Sequence, residues 1–327
     1  MFNTIYIEEK AYDYPIARQL LQKYAGADIV TIRHYKDVFN RPKQNLAIQK
    51  QHPSLILAVK GGQLLYEGPE VCQNFDHPNF YYTSFLFNCM FDCEYCFLQG
   101  MYPSANIVAF LNVEDYQHAM EELLVSKKKI FLAVSYDTDL IAFHNIIPYL
   151  EYFYDFFAAH PDMLVEVRTK SANQAFYNSY PPLKNIIIAF TLAPDEIIKK
   201  YERHTPSLIS RINAVKAAIT QGFNVRICFD PVFADSETED AYKEFYHYIF
   251  TQIDPDRILD VGFGFFRMSV DFFKRIEKVR DNSLLYAKEY CIKNNIVSYP
   301  EPVMEKLKAE HLEILEKYIK KEKIFTI

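Results

Sequence analysis

Six short apolar runs, interleaved with amphipathic stretches, constrain this chain more than any other feature. The runs lie at 82–87, 130–134, 164–167, 186–191, 225–229 and 259–263. Helical patterns lie at 113–126, 146–159, 208–221 and 241–252. Strands that alternate with helices are joined by crossovers, and crossovers place successive strands in parallel with a right-handed turn. The expected fold class is therefore α/β, an open or partial (β/α)6 barrel. In such a barrel the chemistry gathers at the C-terminal ends of the strands.

Ahead of the barrel the sequence reads as a small β-α-β unit, with strands at 5–8 and 29–33 and a helix at 15–24. Residues 34–53 turn polar and read as a connection. Runs 55–59 and 63–66 flank Gly61-Gly62 and predict a hairpin. The division expected is a small N-terminal α/β domain over 1–79, a barrel with its loops over 80–290, and a C-terminal helical extension over 291–327, with a charged helix at 302–321.

The chain has 327 residues, half of them hydrophobic, which is enough for a large core. No run of about 18 apolar residues is present, and the opening lacks a basic segment followed by an apolar one. The expectation is a cytoplasmic protein with no membrane partner. A formal net charge of −6 and a pI near 5.9 mean that a nucleic-acid partner needs a local basic face on an acidic whole.

Three of the six cysteines carry the strongest chemical signal. Residues 87–99 read FNCMFDCEYCFLQ, so Cys89, Cys93 and Cys96 form C-x3-C-x2-C directly after a predicted strand. Chance would produce that spacing on the order of 10⁻³ times per chain. Structural zinc would want a fourth ligand, and neither His77 nor His118 stands at a recognisable spacing. Three unrelated core cysteines fit poorly with Asp92 and Glu94 between them. A [4Fe–4S] cluster held by three thiolates, with one iron left open, suits soft ligands in this pattern.

The triad, with Tyr95 just before its last cysteine, resembles the signature of the radical S-adenosylmethionine (SAM) superfamily. That resemblance implies that the open iron chelates SAM, and that cleavage of SAM yields methionine and a 5′-deoxyadenosyl radical. A longer similarity points to the spore photoproduct lyase family. It is carried by CEYCFLQ from Cys93, EVRTKSAN from Glu166, and AFTLAPDEIIKKYERHTPSLISRINAV from Ala189, within roughly residues 80–270.

The resemblance assigns roles to further residues, each with a plainer alternative. Tyr95 is expected near the adenine of SAM, or as core filling. Lys170 resembles the lysine that pairs with the SAM carboxylate, or is a solvated strand end. Thr191 is similar to a small hydroxyl residue that touches SAM, or is structural. Asp137 and Asp139, with Ser135 in the same segment SYDTD, lie where relatives place acceptors for the SAM amino group, or form an exposed turn. Glu202 and Arg211 match a family pattern, or form a structural ion pair.

Two departures bear on the reaction. Family members place a hydrogen-donating cysteine after the strand equivalent to 130–134, where this chain has Ser135 and Tyr136; Phe97 replaces a second tyrosine of the cluster loop. Cys72, in the loop-like EGPEVCQNFDHPN, is the replacement to consider, whether as donor or as a cysteine without a role. Cys228 is a second candidate, and Cys291 is expected in the core.

The function expected from the resemblance is reversal of 5-thyminyl-5,6-dihydrothymine in DNA, by hydrogen abstraction, cleavage between the thymines, and hydrogen-atom return. Arg267, Lys274, Arg275 and Tyr299 are expected contacts to DNA, and a flavodoxin or ferredoxin is the expected reductant. Two rivals stand beside it: an enzyme of the same lineage with another substrate, and a non-catalytic iron–sulfur or zinc protein.

Overall fold

The computed structural model describes residues 2–234 and 239–327. Its centre is an eight-stranded sheet in the order Ile324–Thr326, Asp260–Phe265, Asn224–Val232, Ile186–Thr191, Met163–Thr169, Ile130–Ala133, Phe80–Thr83, Leu65–Glu67. Every neighbouring pair is parallel except the last. The six expected barrel strands are its central run, curled as a partial barrel. Ile186–Thr191 shows why this segment is a strand: all six residues are buried, as befits a parallel strand covered on both faces.

The helix Leu208–Gln221 is bounded by its own sequence. Ser207 accepts from the Ser210 backbone N–H at 3.3 Å, and Gly222 ends the helix at φ +91°. The expected helix at 146–159 divides into Tyr149–Tyr152 and Tyr154–Ala159. The polar stretch 34–53 contains two short helices, Lys36–Phe39 and Leu46–Gln51.

A second sheet has five strands, in the order Asp28–Ile32, Thr4–Glu8, Leu55–Ala58, Ile107–Phe110, Leu86–Phe87. Its composition corrects the hairpin expected around Gly61-Gly62. Leu55–Ala58 is buried along its whole length and takes parallel neighbours on both edges, while Leu65–Glu67 pairs with Phe80–Thr83 in the barrel sheet. A strand with two covered faces and two paired edges has no edge left for a hairpin partner. The run at 82–87 likewise divides, sending Phe80–Thr83 to one sheet and Leu86–Phe87 to the other.

Strands thus pass between the sheets on both sides of residue 79. The last stretch holds the helix Glu301–Leu315, the barrel-edge strand Ile324–Thr326, and a hairpin of Cys291–Lys293 and Ile296–Ser298 that pairs with Arg267–Ser269. Cys291, expected in the core, is exposed, because its short edge strand is exposed at all three residues.

Candidate active site

The cluster loop begins with a chain reversal. Asn88 takes a left-handed φ of +70°, and its buried amide donates to the carbonyls of Ser104 and Asn106, both at 2.8 Å. Asp92–Cys93 then pairs with Glu202–Arg203 as a short antiparallel ladder, with Cys93 opposite Glu202. The Gln99 amide donates to the Cys93 carbonyl at 2.8 Å, and Arg280 holds both Gln99 and Asp92. From the N-terminal layer, the Lys50 ammonium donates to the carbonyls of Cys89 (2.7 Å) and Phe91 (2.8 Å).

Cys89, Cys93 and Cys96 line one cavity of about 330 Å³ at the C-terminal ends of the barrel strands. Burial pushes the Cys89 thiol up to about 12 and the Cys93 thiol well above its ordinary range. Thiolates there call for a cationic partner, which bound iron supplies. Among the described residues no three Cys, His, Asp or Glu side chains gather at the spacing of a single ion.

Lys170, Thr191, Asp139, Ser135, Tyr95, Arg267 and Cys72 line the same cavity. Lys170 follows the strand Met163–Thr169, its ammonium 5.5 Å from the centre of the Tyr95 ring. Burial opposes its charge, yet Glu202 and Cys93 outweigh burial and hold it above the usual lysine range. An ammonium so held favours an anionic ligand beside it.

Tyr95 donates to Glu202, and Glu202 pairs with Arg211, whose guanidinium also reaches the Thr191 carbonyl at 3.2 Å and the Thr205 hydroxyl at 2.7 Å. The structural ion pair expected as the plainer alternative for Glu202 and Arg211 is thus present. It braces the cluster loop against the end of the Thr191 strand.

The two aspartates of SYDTD part company, and neither sits in an exposed turn. Asp139 accepts from the backbone N–H groups of Lys170 (2.8 Å) and Ala142 (2.9 Å) and from the Thr169 hydroxyl (2.8 Å). Asp137 does not line the cavity; it accepts from Ser84, and burial lifts it to about 6. Ser135 Oγ and Thr138 Oγ1 are buried without a protein partner and line the cavity, so two hydroxyls stand ready for a polar ligand.

The Cys72 thiol lies 3.8 Å from the Tyr136 hydroxyl, whose ring packs 4.1 Å from Tyr82 and 5.4 Å from Phe97. Burial pushes the Cys72 thiol up, against the opposing pull of Arg267. It therefore remains S–H at neutral pH. Arg267 donates to the Val71 carbonyl at 2.8 Å and pairs with Asp230 at 3.0 and 3.1 Å. Its fork is thus spent inside the protein, bracketing the segment that carries Cys72.

The other expected DNA contacts scatter. Lys274 and Arg275 are exposed on the helix Val270–Val279, with Arg275 donating to the Gly100 carbonyl at 3.1 Å, whereas Tyr299 is buried against Tyr290 and Phe265. Cys228 is fully buried and does not line the cavity.

Comparison with known proteins places this geometry. A family model described as "Spore photoproduct lyase" matches residues 1–288. The chain belongs to the spore photoproduct lyase family. Curated lyases of the family resemble it: that of Bacillus subtilis (strain 168) is 21% identical over 79% of this chain and 76% of its own, and that of Clostridium acetobutylicum is 23% identical over 75% and 72%. Among solved structures, spore photoproduct lyase complexed with dinucleoside spore photoproduct superposes with a TM-score of 0.86 at 15% identity, covering 100% of this chain and 98% of that one. A variant with bound AdoMet and the same dinucleoside gives 0.85 at 16%, with the same coverage. At those identities the likeness is one of fold.

Sequence reasoning missed Lys50, Arg168, Thr138 and Asp230. Lys50 sits in the stretch read as a polar connection, and Asp230 lies near the end of the strand Asn224–Val232 with no motif to mark it. Arg168 and Thr138 lie inside quoted segments, but only the folded cavity distinguishes them from their neighbours.

Proposed function

We propose that this protein reverts 5-thyminyl-5,6-dihydrothymine in DNA to two thymines as a radical SAM lyase. The observation that carries the reading is the convergence of three cysteines, the Lys170 ammonium and the Cys72 thiol on one cavity. The cluster with SAM supplies, when bound, the 5′-deoxyadenosyl radical that abstracts hydrogen from C6 of the lesion.

The protein's own groups do the rest. Cys89, Cys93 and Cys96 hold the cluster, Lys170 offers its charge to the SAM carboxylate, and Tyr95 walls the adenine side. Ser135, Thr138, Asp139 and Thr191 supply polar edges. Cys72 returns a hydrogen atom after the bond between the thymines breaks: its S–H bond breaks, a C–H bond forms on the product, and a thiyl remains. Arg267 and Asp230 position that thiol.

The lesion reaches the cavity extruded from the duplex, since a barrel mouth cannot reach a stacked base. Lys274 and Arg275, exposed on the helix Val270–Val279 whose Phe272 lines the cavity, are suited to phosphates. The enzyme works in the cytoplasm, where a flavodoxin or ferredoxin supplies the electron. Its six cysteines are all free, as a reducing compartment favours.

The test is anaerobic reconstitution with iron, sulfide, SAM and dithionite, followed by a synthetic spore-photoproduct dinucleotide. Release of thymines with 5′-deoxyadenosine formation supports the reading. Formation of 5′-deoxyadenosine without thymine recovery, in the presence of saturating lesion, overturns the substrate.

A further inference from the structure

One cation in the neighbourhood of the cysteine triad comes from outside the barrel. Lys50 lies on the helix Leu46–Gln51 of the N-terminal layer, 39 residues before the first cysteine it touches. Its ammonium donates to two carbonyls of one loop turn, those of Cys89 at 2.7 Å and Phe91 at 2.8 Å. The preceding residue reaches the far end of the same loop: Gln49 Oε1 accepts from the Ala105 N–H at 2.9 Å and the Ser104 hydroxyl at 3.2 Å. Two successive side chains of one helical turn therefore bracket residues 89–105.

An amide would suffice to hold a carbonyl. A lysine adds a unit charge, and its two carbonyl contacts fix that charge beside the backbone of Cys89, the first cysteine of the triad. A cation beside a thiolate-bound cluster stabilises the more negative, reduced form over the oxidised one, and charge is among the levers that set such potentials.

We propose that Lys50 is a positioning residue for the cluster loop that also raises the cluster's one-electron reduction potential, so that the N-terminal layer sets how readily the site is reduced. The proposal rests on the cluster reading above. The residue does not line the cavity and acts through the Cys89 and Phe91 carbonyls.

The experiment is a redox titration of reconstituted protein, followed by the electron paramagnetic resonance of the reduced cluster, with iron content measured on the same samples. Lys50→Gln keeps a donor for one carbonyl and removes the charge; Lys50→Arg keeps the charge. Lys50→Gln should retain parental iron while its reduced-to-oxidised ratio at a fixed potential falls about tenfold, a shift of ~59 mV to more negative potential for one electron. Lys50→Arg should restore most of that shift. A Lys50→Gln midpoint equal to the parental one overturns the proposal, as does an equal shift in Lys50→Arg. If Lys50→Gln loses iron, the Lys50→Arg titration decides: a parental midpoint with parental iron upholds the role of charge, and a displaced midpoint removes it. A parental chain that binds no iron defeats the cluster reading itself, which separates that failure from this one.

Discussion

The Cys72 sulfur and the Tyr136 hydroxyl meet at 3.8 Å across 64 residues of chain, within the wall of the cavity that holds the cysteine triad. The thiol is protonated and faces a phenol, not a base. That environment suits donation of a hydrogen atom and disfavours nucleophilic chemistry.

Cys72→Ala should therefore leave iron content and SAM cleavage unchanged while uncoupling 5′-deoxyadenosine formation from thymine recovery. Product analysis should show quenched adducts of the substrate radical. Clean repair by Cys72→Ala at the parental rate would remove Cys72 as donor and leave Tyr95 or solvent-fed chemistry in its place.

Loss of any triad cysteine should abolish the cluster. Reconstituted parental protein should hold about four iron and four sulfide per chain, and Cys89→Ala, Cys93→Ala and Cys96→Ala should each fall to background, because three thiolates leave no ligand to spare. Stoichiometric zinc with no uptake of iron would contradict this.

Lys170→Ala should weaken SAM binding with iron content intact. Removing a charge-assisted contact to a carboxylate costs roughly 1.5–3 kcal/mol, or about ten- to a hundredfold in Kd. Equilibrium binding to the reconstituted protein measures it, and an unchanged Kd would return Lys170 to a structural role.

The Glu202–Arg211 pair should be stabilising in a pH-dependent way. Burial alone would raise the Glu202 carboxyl, but Arg211 and Lys170 prevail and hold it below its ordinary range. Its contribution is then present above about pH 4.3, the unfolded value, and is lost as pH falls through the lower folded value. Arg211→Met strands a buried carboxylate and should cost about 3–5 kcal/mol in denaturant unfolding.

Asp137 carries the opposite sign. Burial raises its folded value to about 6, so its charged form is disfavoured in the native state and stability declines as pH rises from about 4 to 6. Asp137→Asn should flatten that slope and raise stability at pH 7 by an amount on the order of 2–3 kcal/mol, provided the Ser84 contact is kept. A steeper slope in the variant would contradict the sign.

The barrel was legible because its strands are buried on both faces, and continuous apolar runs such as 186–191 can be read without knowing their neighbours. The triad was legible because ligand spacing is local. Partners distant in sequence were not. Leu55–Ala58 looks the same whether its neighbour is Leu65–Glu67 or Ile107–Phe110, and Gly61-Gly62 pointed to the nearer one. Arg267 reads as a basic surface residue until the fold brings Asp230 and Val71 to it. Lys50 carries no pattern at all, since its worth lies in two carbonyls 39 and 41 positions away.

Cys72 rides on the segment between Leu65–Glu67 and Phe80–Thr83, whose ends are clamped side by side with Glu67 opposite Tyr81. That segment is anchored on the barrel by Phe75, buried against Phe131 and Arg226, and by the Arg267 contact to the Val71 carbonyl, whereas Ser135 follows the strand Ile130–Ala133. Both positions face one chamber. The proposed chemistry asks for a sulfur within reach of the radical and is indifferent to which stretch of chain delivers it. On the proposed function the thiol is thus a portable part, delivered to the chamber by the segment between two paired strands and not by the end of the strand that leads to Ser135.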